Sequence, residues 1–206
     1  MIITIGRQYG STGYEFGKKL AEDLGIKLYD KEMLKRAAKE SDLCEEIFET
    51  YDEKPNNSFL YSLVMGSSMG CTTFQDLPLN HKVFLAQFET IKKIAGEGPC
   101  VMVGRCADYA LEGLDHVVNV FIYADLDARV RRVARELGMT DVKAKDYILK
   151  QDKKRAAYYN YYTNKEWGNA NGYDLCLNSA KLGIDGTVEV IKSYLEICSK
   201  IDKPML

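Results

Sequence analysis

Residues 1–30 of the chain read MIITIGRQYGSTGYEFGKKLAEDLGIKLYD, and the order of segments in this stretch predicts the architecture of the rest. A β-branched run opens it, and such density ahead of glycines is typical of a strand buried on both faces. A glycine-rich turn and a helix with an apolar stripe follow, and a second short strand ends at a carboxylate. In order, these segments are Met1–Ile5, Gly6–Gly13, Tyr14–Leu24, Ile26–Tyr29 and Asp30, with Gly25 ending the helix.

The glycine-rich turn has the geometry with which many proteins bind phosphate. Glycines let the backbone take positive φ and approach a ligand closely, and the N–H groups and dipole of a helix start favour an anion. The usual phosphate-binding loop ends in Gly-Lys-Ser/Thr, whereas Thr12 is followed here by Gly13, Tyr14 and Glu15. Two interpretations stay open at this point: a phosphate-binding turn, or a tight turn whose glycines serve only the path of the chain.

The composition narrows the class of protein. The length of 206 residues fits one domain with a substantial core. The formal net charge of −2 argues against a general binder of nucleic acid or membrane surfaces, and no apolar run reaches the ~18 residues of a membrane span. Six cysteines without a CxxC pair, together with an N-terminus that reads as a strand, lead us to expect free thiols, no signal peptide and a cytoplasmic location. With two histidines in the sequence, a zinc site is not expected.

Beyond residue 30, apolar strands alternate with helices, which predicts a parallel sheet covered by helices on both faces. A stretch rich in Pro, Gly, Asn and Ser interrupts this pattern and is predicted to be mobile or to be ordered by a partner. That stretch is Tyr51–Leu79. The further predicted strands are Pro99–Val103, Val117–Tyr123 and Tyr173–Asn178. The predicted helices are Lys31–Thr50, Asn80–Glu97 with Asn80 as N-cap, Ala107–Leu111, Leu126–Leu137, Thr140–Tyr162 and Ile184–Ile201.

Polar groups follow the ends of several predicted strands. Since ligands of parallel sheets bind at the carboxyl ends of the strands, we expect the turn Gly6–Gly13, Asp30, Gly104-Arg105 and Asn178-Ser179 to face one crevice. Arg105 is interpreted as a guanidinium fork for phosphate, with an ion pair to a carboxylate such as Asp108 as the alternative. Asp30 either receives a proton, orients a substrate or helps to hold magnesium, or it caps the next helix.

Cations are concentrated on one predicted helical hairpin. Such a cluster in an acidic protein suits a lid that closes over phosphates, and a solvated basic face is the alternative. The tyrosines that follow either stack on a base or pack the hairpin, and packing is the favoured interpretation. The cations are Arg129, Arg131, Arg132, Arg135, Lys150, Lys153, Lys154 and Arg155, and the tyrosines are Tyr158, Tyr159, Tyr161 and Tyr162.

Four stretches together resemble the cytidylate kinase-like family, and the resemblance covers nearly the whole chain. They are ITIGRQYGSTG at 3–13, VGRCADY at 103–109, DKKRAAYY at 152–159 and YDLCLN at 173–178. The resemblance implies a three-layer α/β/α P-loop kinase fold with a parallel sheet. It implies one domain over 1–206, with an acceptor-binding insertion at about 31–80 and a helical lid at about 138–172. The implied reaction transfers the γ-phosphoryl group of ATP, with Mg²⁺, to a nucleoside monophosphate such as CMP.

The resemblance also implies roles for individual residues. Gly10, Ser11, Thr12, Gly13 and Tyr14 would cradle the donor phosphates, and Arg36 and Arg105 would hold the acceptor phosphate. Arg132, Lys153, Lys154 and Arg155 would form the lid, Asn178 and Ser179 would touch the donor base, and Asp30 and Glu15 would place magnesium. Arg7, Asp30, Arg105 and Arg155 are the candidate catalytic residues.

Three departures from the family pattern fall on catalytic positions. Gly13 stands where the lysine belongs, Glu15 stands where the magnesium-binding hydroxyl belongs, and Cys106 replaces the aspartate of Gly-Arg-Asp. Arg7, Lys18 or a lid cation would replace the lysine. The rival interpretation is a non-catalytic nucleotide- or anion-binding protein with a degenerate P-loop. The oligomeric state stays open, with a homodimer as the favoured expectation.

Overall fold

The computed structural model describes residues 1–41, 45–51 and 78–201, which form a parallel sheet of five strands in the order β2-β3-β1-β4-β5. The strands are β1 (Ile2–Arg7), β2 (Lys27–Tyr29), β3 (Cys100–Val103), β4 (Val117–Tyr123) and β5 (Leu175–Asn178). The helices are α1 (Gly13–Leu24), α2 (Lys31–Glu40), α3 (Glu45–Tyr51), α4 (Leu79–Glu97), α5 (Ala107–Ala110), α6 (Leu126–Leu137), α7 (Asp141–Thr163) and α8 (Ser179–Lys200), with a 3-10 turn at Ala170–Gly172.

The central strand β1 explains why the opening run is apolar on both sides. Ile3 and Ile5 pack on the face covered by α1 and α8, whereas Ile2 packs on the face covered by α2, α4 and α5. Thr4, which is buried, donates its hydroxyl to Asn119 Oδ1 on the neighbouring strand at 2.6 Å. The predicted strand with two buried faces is therefore confirmed, and the sheet forms the middle of three layers.

The order of the strands opens a crevice beside β1. The register places Ile5 level with Val103 of β3 and Val120 of β4, so the carboxyl ends of these strands lie at one edge. From β1 the chain runs through α1 to β2 on one side, and from β3 it runs through α5 to β4 on the other. Ligands of open parallel sheets bind where neighbouring connections diverge in this way. The crevice is thus expected between the ends of β1 and β3.

Several predicted boundaries differ from the structure. The helix predicted over Lys31–Thr50 is divided, because α2 ends at Glu40 and the extended backbone of Ser41 (φ −119°, ψ 158°) follows it. The predicted N-cap Asn80 is wrong, since α4 begins at Leu79 and the Pro78 carbonyl accepts its first backbone bonds. The predicted mobile stretch lies largely in 52–77, outside the described residues.

The last helix also begins earlier than predicted. The Asn178 side chain accepts the Ala180 N–H at 3.0 Å and caps α8, which then kinks at Gly183 (φ 65°). Helical periodicity does not predict the first turn of α8, because Gly183 interrupts the apolar stripe. The Ser179 hydroxyl lies 3.2 Å from the Tyr123 carbonyl oxygen, so the start of α8 lies beside the end of β4.

Helix α7, the main element of the predicted lid, is packed along most of its length. Its first half buries Ala144 and Ile148 against α6, and its second half buries Tyr158 and Tyr159 beside α4. Tyr162 stacks on Phe84 with ring centroids 4.0 Å apart. The packing interpretation is confirmed for Tyr158, Tyr159 and Tyr162, whereas the Tyr161 side chain is exposed. Within the described part of the chain, none of the helices has the length and apolarity that a membrane crossing requires.

Candidate active site

The glycine-rich turn after β1 packs tightly against α6 and is fixed by the hydroxyl groups of two serines. Gly10 has φ 75°, and a Cβ at this position would lie 2.8 Å from Cγ2 of Val133, so a glycine is required. The buried Ser11 hydroxyl lies 2.8 Å from the carbonyl oxygen of Gln8, and the Ser179 hydroxyl donates to the Ser11 carbonyl at 2.7 Å. The Ser11 side chain therefore fixes the turn and does not line the cleft above it.

Thr12 adds strain to the turn. Its φ of 65° lies in the left-handed region, which a β-branched residue adopts rarely. Strained residues of this kind cluster at ligand-binding sites, because surrounding contacts are needed to maintain them. Gly13 follows as the first residue of α1, so the start of the helix faces the same space as the turn.

A cleft of about 360 Å³ opens above the turn at the carboxyl edge of the sheet. Polar and charged side chains dominate its walls, and they come from the ends of β1, β2 and β3, from α1, from α6 and from α7. The lining residues are Arg7, Gln8, Tyr9, Gly10, Thr12, Gly13, Tyr14, Glu15, Asp30, Val103, Arg105, Arg132, Glu136 and Arg155. The structure thus brings together all four candidate catalytic residues and most of the predicted phosphate turn.

Arg105 enters the cleft from a strained turn. Gly104, Arg105 and Cys106 have φ of 77°, 54° and 55°, so three consecutive residues are left-handed. The Arg105 side chain is 3% exposed and donates from Nη1 to Asp30 Oδ1 at 2.6 Å. Asp30 occupies the N-cap position of α2, but its carboxylate makes no capping bond to that helix. The guanidinium and this carboxylate therefore belong to the cleft rather than to the helix end.

Asp108, named above as an alternative partner of Arg105, accepts the Tyr159 hydroxyl at 2.6 Å. Burial raises the pKa of the Asp108 carboxyl above its usual range, although the Tyr159 bond opposes that shift. The pKa of Tyr159 is raised as well, first by burial and then by the neighbouring Asp108 charge. This pair stands where α5 meets α7 and ties the Arg105 turn to the long helix.

Asp152 joins α7 to the phosphate turn, a role that the sequence reading missed. Its Oδ1 accepts the Tyr9 N–H at 2.7 Å, and its Oδ2 accepts Arg129 Nη1 at 2.5 Å. Arg129 is 6% exposed and also donates Nε to the Ala124 carbonyl at 3.0 Å. We call Tyr9, Arg129 and Asp152 the latch. The signal for it in the sequence was a lone carboxylate directly before three cations, Lys153, Lys154 and Arg155.

The cations of the predicted lid separate into two groups. Arg155 lines the cleft, donates to the Arg7 carbonyl at 3.2 Å and lies over the Tyr9 ring. Arg132 also lines it and donates to Glu15 Oε1 at 3.2 Å. Lys153 and Lys154 are exposed and lie outside the lining of the cleft. The guanidinium groups, and not the lysines, therefore face the phosphate turn.

Arg36, predicted to hold the acceptor phosphate, lies elsewhere. It pairs with Glu40 and with Glu97, a residue shortly before the amino end of β3. That end is the edge of the sheet opposite to the cleft. Hydrogen bonds to Glu97 and Glu40 raise the pKa of Arg36. Arg36 is not among the residues that line the cleft.

A second cleft, of about 290 Å³, adjoins the first through Gly10, Thr12 and Arg132. It lies between α6 and the start of α8. Its further lining residues are Ala124, Ala128, Arg129, Arg131, Arg135, Ser179 and Ala180. Ser179, to which the resemblance gave a contact with the donor base, lines this cleft, while the Asn178 amide caps α8 and donates to Asp125 at 3.2 Å.

Comparison with known proteins identifies the family. The profile of the cytidylate kinase-like family matches residues 2–181. The chain belongs to this family. Two similar proteins named cytidylate kinase come from Archaeoglobus fulgidus, 27% identical over 201 residues with 96% of each chain covered, and from Methanopyrus kandleri, 23% identical over 206 residues with 95% of this chain and 93% of the relative covered.

Solved structures confirm the three-layer α/β/α P-loop kinase fold of this cytidylate kinase-like chain. An uncharacterized protein from Eubacterium ventriosum is 28% identical with a TM-score of 0.71, and the match covers 95% of this chain and 98% of that one. A shikimate kinase from Bacteroides thetaiotaomicron, 16% identical with a TM-score of 0.55 and the same coverage, shares the fold. The resemblance seen in the sequence is thereby confirmed at the level of family and fold.

The metal predicted for this cytidylate kinase-like protein has two candidate carboxylates. Glu15 and Asp30 both line the first cleft, and each is paired with an arginine, Arg132 and Arg105 respectively. Among the residues that the structure describes, no group of three or more His, Cys, Asp or Glu could hold a metal ion. Mg²⁺ commonly binds through one or two carboxylates together with substrate phosphates and water. The donor set fits that mode of binding better than a dedicated metal cage.

Proposed function

We propose that the chain catalyses phosphoryl transfer from ATP to a nucleoside monophosphate, with CMP as the favoured acceptor. The observation that carries this proposal is the convergence of Arg7, Arg105, Arg132 and Arg155 on one strained turn at a helix start. Membership of the cytidylate kinase-like family supports the reaction class. The names of the two similar proteins, both cytidylate kinase, favour CMP over other acceptors.

The electrostatics of the cleft suit this reaction. Phosphoryl transfer depends mainly on alignment of the two substrates and on neutralisation of charge at the transferred group. Guanidinium groups provide both, since each presents a planar fork of N–H donors that matches phosphate oxygens. Three carboxylates in the same cleft position two of the four forks before a ligand arrives: Asp30 pairs with Arg105, and Glu15 and Glu136 pair with Arg132.

We place the donor across both clefts. The base and ribose would lie in the second cleft, between the α6 arginines and Ser179. The triphosphate would then run over Gly10–Gly13 into the first cleft, where N–H groups at the start of α1 point at it. Asn178 supports this path through its cap of α8 and does not need to touch the base.

The chemical step follows from this arrangement. An oxygen of the acceptor phosphate attacks the γ-phosphorus of ATP, the bond from that phosphorus to the β,γ-bridging oxygen breaks, and ADP leaves. No proton has to move, because the attacking oxygen is already anionic. Arg105 would hold the acceptor phosphate, and Arg155 would meet the charge of the transferred group. Mg²⁺ would supply further charge neutralisation, held by the phosphates and by Asp30 or Glu15.

An acceptor panel tests the proposal. ADP release is measured for CMP, dCMP, UMP, AMP and GMP, with and without magnesium. We expect magnesium-dependent release with at least one of these acceptors. The rival interpretation, a binding protein, is favoured by the absence of a P-loop lysine at Gly13. Calorimetric binding of ATP without turnover of any acceptor would support that rival.

Arg105→Ala provides the residue-level test of the acceptor site. Removal of a charged donor that acts in the transition state costs on the order of 10²–10³ in rate, and we expect a loss of that size in kcat/KM for the acceptor. Lys145→Ala, on the exposed surface of α7, is the matched control for loss of a cation. Unchanged acceptor kinetics in Arg105→Ala would overturn the assignment.

A further inference from the structure

We infer that Arg7 takes the place of the P-loop lysine, and that residue 13 is a glycine because the stem of Arg7 fills the space in which a side chain would begin. This assignment rests on the proposed function and adds the identity of the cation that serves the donor phosphates. It selects one of the three candidates left open by the sequence: Arg7, Lys18 and a lid cation.

The contact between residues 7 and 13 is the basis of the inference. A Cβ built on Gly13 would lie 2.5 Å from Cβ of Arg7 and 2.8 Å from its Cγ. Contacts below 3.0 Å essentially do not occur for Cβ atoms. The position of the Arg7 Cβ is fixed by the backbone of β1, so rotation of the side chain cannot remove the 2.5 Å clash with it. The two positions therefore cannot both carry a side chain in this backbone geometry.

The Arg7 side chain extends away from Gly13 toward the cleft. The distance to the constructed Cβ of Gly13 rises to 3.8 Å at Cδ, and the residue forms part of the cleft wall. Arg7 is the last residue of β1, and Gly13 is the first residue of α1. The turn between them folds the chain back, so that the stem of Arg7 lies beside the position at which a P-loop lysine would leave the helix.

The other candidates are placed less well for this role. Lys18 lies on the outer side of α1, where its Nζ is 3.9 Å from Glu22 Oε1 and 61% of its side chain is exposed. It does not line the cleft. Arg132 reaches the cleft from α6 and is positioned by Glu15 and Glu136. Arg155 contacts the Arg7 carbonyl from α7. Arg7 alone among these candidates arises from the strand that begins the turn.

The presence of an arginine in place of the usual P-loop lysine has a chemical consequence. A lysine presents a compact ammonium charge, whereas an arginine presents five N–H donors in a planar fork. Such a fork can bind two oxygens of one phosphate or bridge neighbouring phosphates. We therefore expect Arg7→Lys to retain part of the affinity for phosphate chains and Arg7→Ala to lose most of it.

A reciprocal exchange tests the inference. The variants are Arg7→Ala, Arg7→Lys, Arg7→Gly, Gly13→Lys and the double variant Arg7→Gly/Gly13→Lys. Glycine is required at position 7 of the double variant, because the Cβ of an alanine would still clash with the new side chain. Binding of inorganic tripolyphosphate and of ATP is measured by calorimetry, turnover is measured with the acceptor panel, and thermal melting confirms that each variant is folded.

We expect Arg7→Ala to bind tripolyphosphate at least ten-fold more weakly than the wild type and to lose on the order of 10²-fold in kcat/KM. Gly13→Lys should lose binding because of the clash. The double variant should bind at least ten-fold more tightly than Arg7→Gly. Lys145→Ala, an exposed cation on α7, should match the wild type.

Two results would overturn the inference: a folded Arg7→Ala that binds tripolyphosphate like the wild type, or a folded double variant no better than Arg7→Gly. Tripolyphosphate binding separates this inference from the proposed function. If the wild type turns over no acceptor but Arg7→Ala still loses tripolyphosphate binding, the proposed function fails and the role of Arg7 as the phosphate-binding cation stands.

Discussion

Gly10 and Gly25 show how single positions fix the phosphate turn, since both have positive φ but different surroundings. A Cβ at Gly25 would meet nothing within 4 Å, whereas a Cβ at Gly10 would lie 2.8 Å from Val133. Gly25→Ala should therefore cost about 1 kcal/mol of stability for the left-handed backbone alone. Gly10→Ala should cost roughly 1–3 kcal/mol more because of overpacking. Urea unfolding of both variants measures the difference, and equal losses would contradict the tight packing of the turn on α6.

The carboxyl of Asp108 is expected to make the stability of the protein depend on pH. Burial raises the pKa of its carboxyl in the folded state above the unfolded value of about 4. Between those two values the folded protein holds more protons than the unfolded chain, so the Asp108 contribution to stability falls as pH rises. Asp108→Asn does not titrate and keeps an acceptor for Tyr159. We expect the variant to gain stability over the wild type as pH rises from about 4, measured by urea unfolding at several pH values. A difference independent of pH would contradict this account.

The latch is a feature of whole elements, because it joins α6, α7 and the phosphate turn. Asp152→Ala would leave the buried Arg129 guanidinium without this carboxylate, and removal of one partner of a buried pair typically costs about 3–5 kcal/mol. Asp152→Ala/Arg129→Met should recover part of that loss, because no buried charge remains. A double-mutant cycle measured by unfolding gives the coupling energy. Additive losses would show that the two side chains do not act as a unit.

Elements could be predicted from the sequence where one local pattern determines them. The strand Val117–Tyr123 and the helix Leu126–Leu137 have the predicted bounds, because a run of mostly apolar residues and a clear apolar stripe leave no competing pattern. The start of α8 was missed because its cap at Asn178 precedes a glycine that interrupts the stripe. The latch was missed because Tyr9 and Asp152 are 143 positions apart. Hydrogen bonds across such separations depend on packing that no local pattern records.

At the scale of the whole molecule, one rule of parallel sheets predicts most of the candidate site from the sequence alone. The carboxyl ends of parallel strands share an edge, and this placed Arg7, Asp30 and Arg105 together correctly. The same rule does not apply to Arg36, which lies on a helix and pairs with Glu97, a partner 61 positions away. The identity of the cation opposite Gly13 also needed the structure, because it depends on an interatomic distance across the turn.

The docking of α7 bears on how the molecule closes over a ligand. Since α7 packs on α6 at one end and on α4 at the other, we expect slow amide exchange along Ala144–Tyr159 with and without ATP. Addition of ATP should instead slow exchange at the phosphate turn, residues 9–14. Hydrogen exchange read by mass spectrometry measures both. Fast exchange of α7 that becomes slow on ATP binding would favour the movable lid predicted from the sequence.

Magnesium-dependent release of ADP from ATP, with CMP and the other monophosphates offered in turn, tests the proposed function most directly. We predict that at least one monophosphate accelerates ADP release well above the rate with ATP alone, and that Arg105→Ala removes this acceleration while Lys145→Ala preserves it. ATP that binds the folded protein while no monophosphate accelerates ADP release would contradict phosphoryl transfer and leave a nucleotide-binding protein.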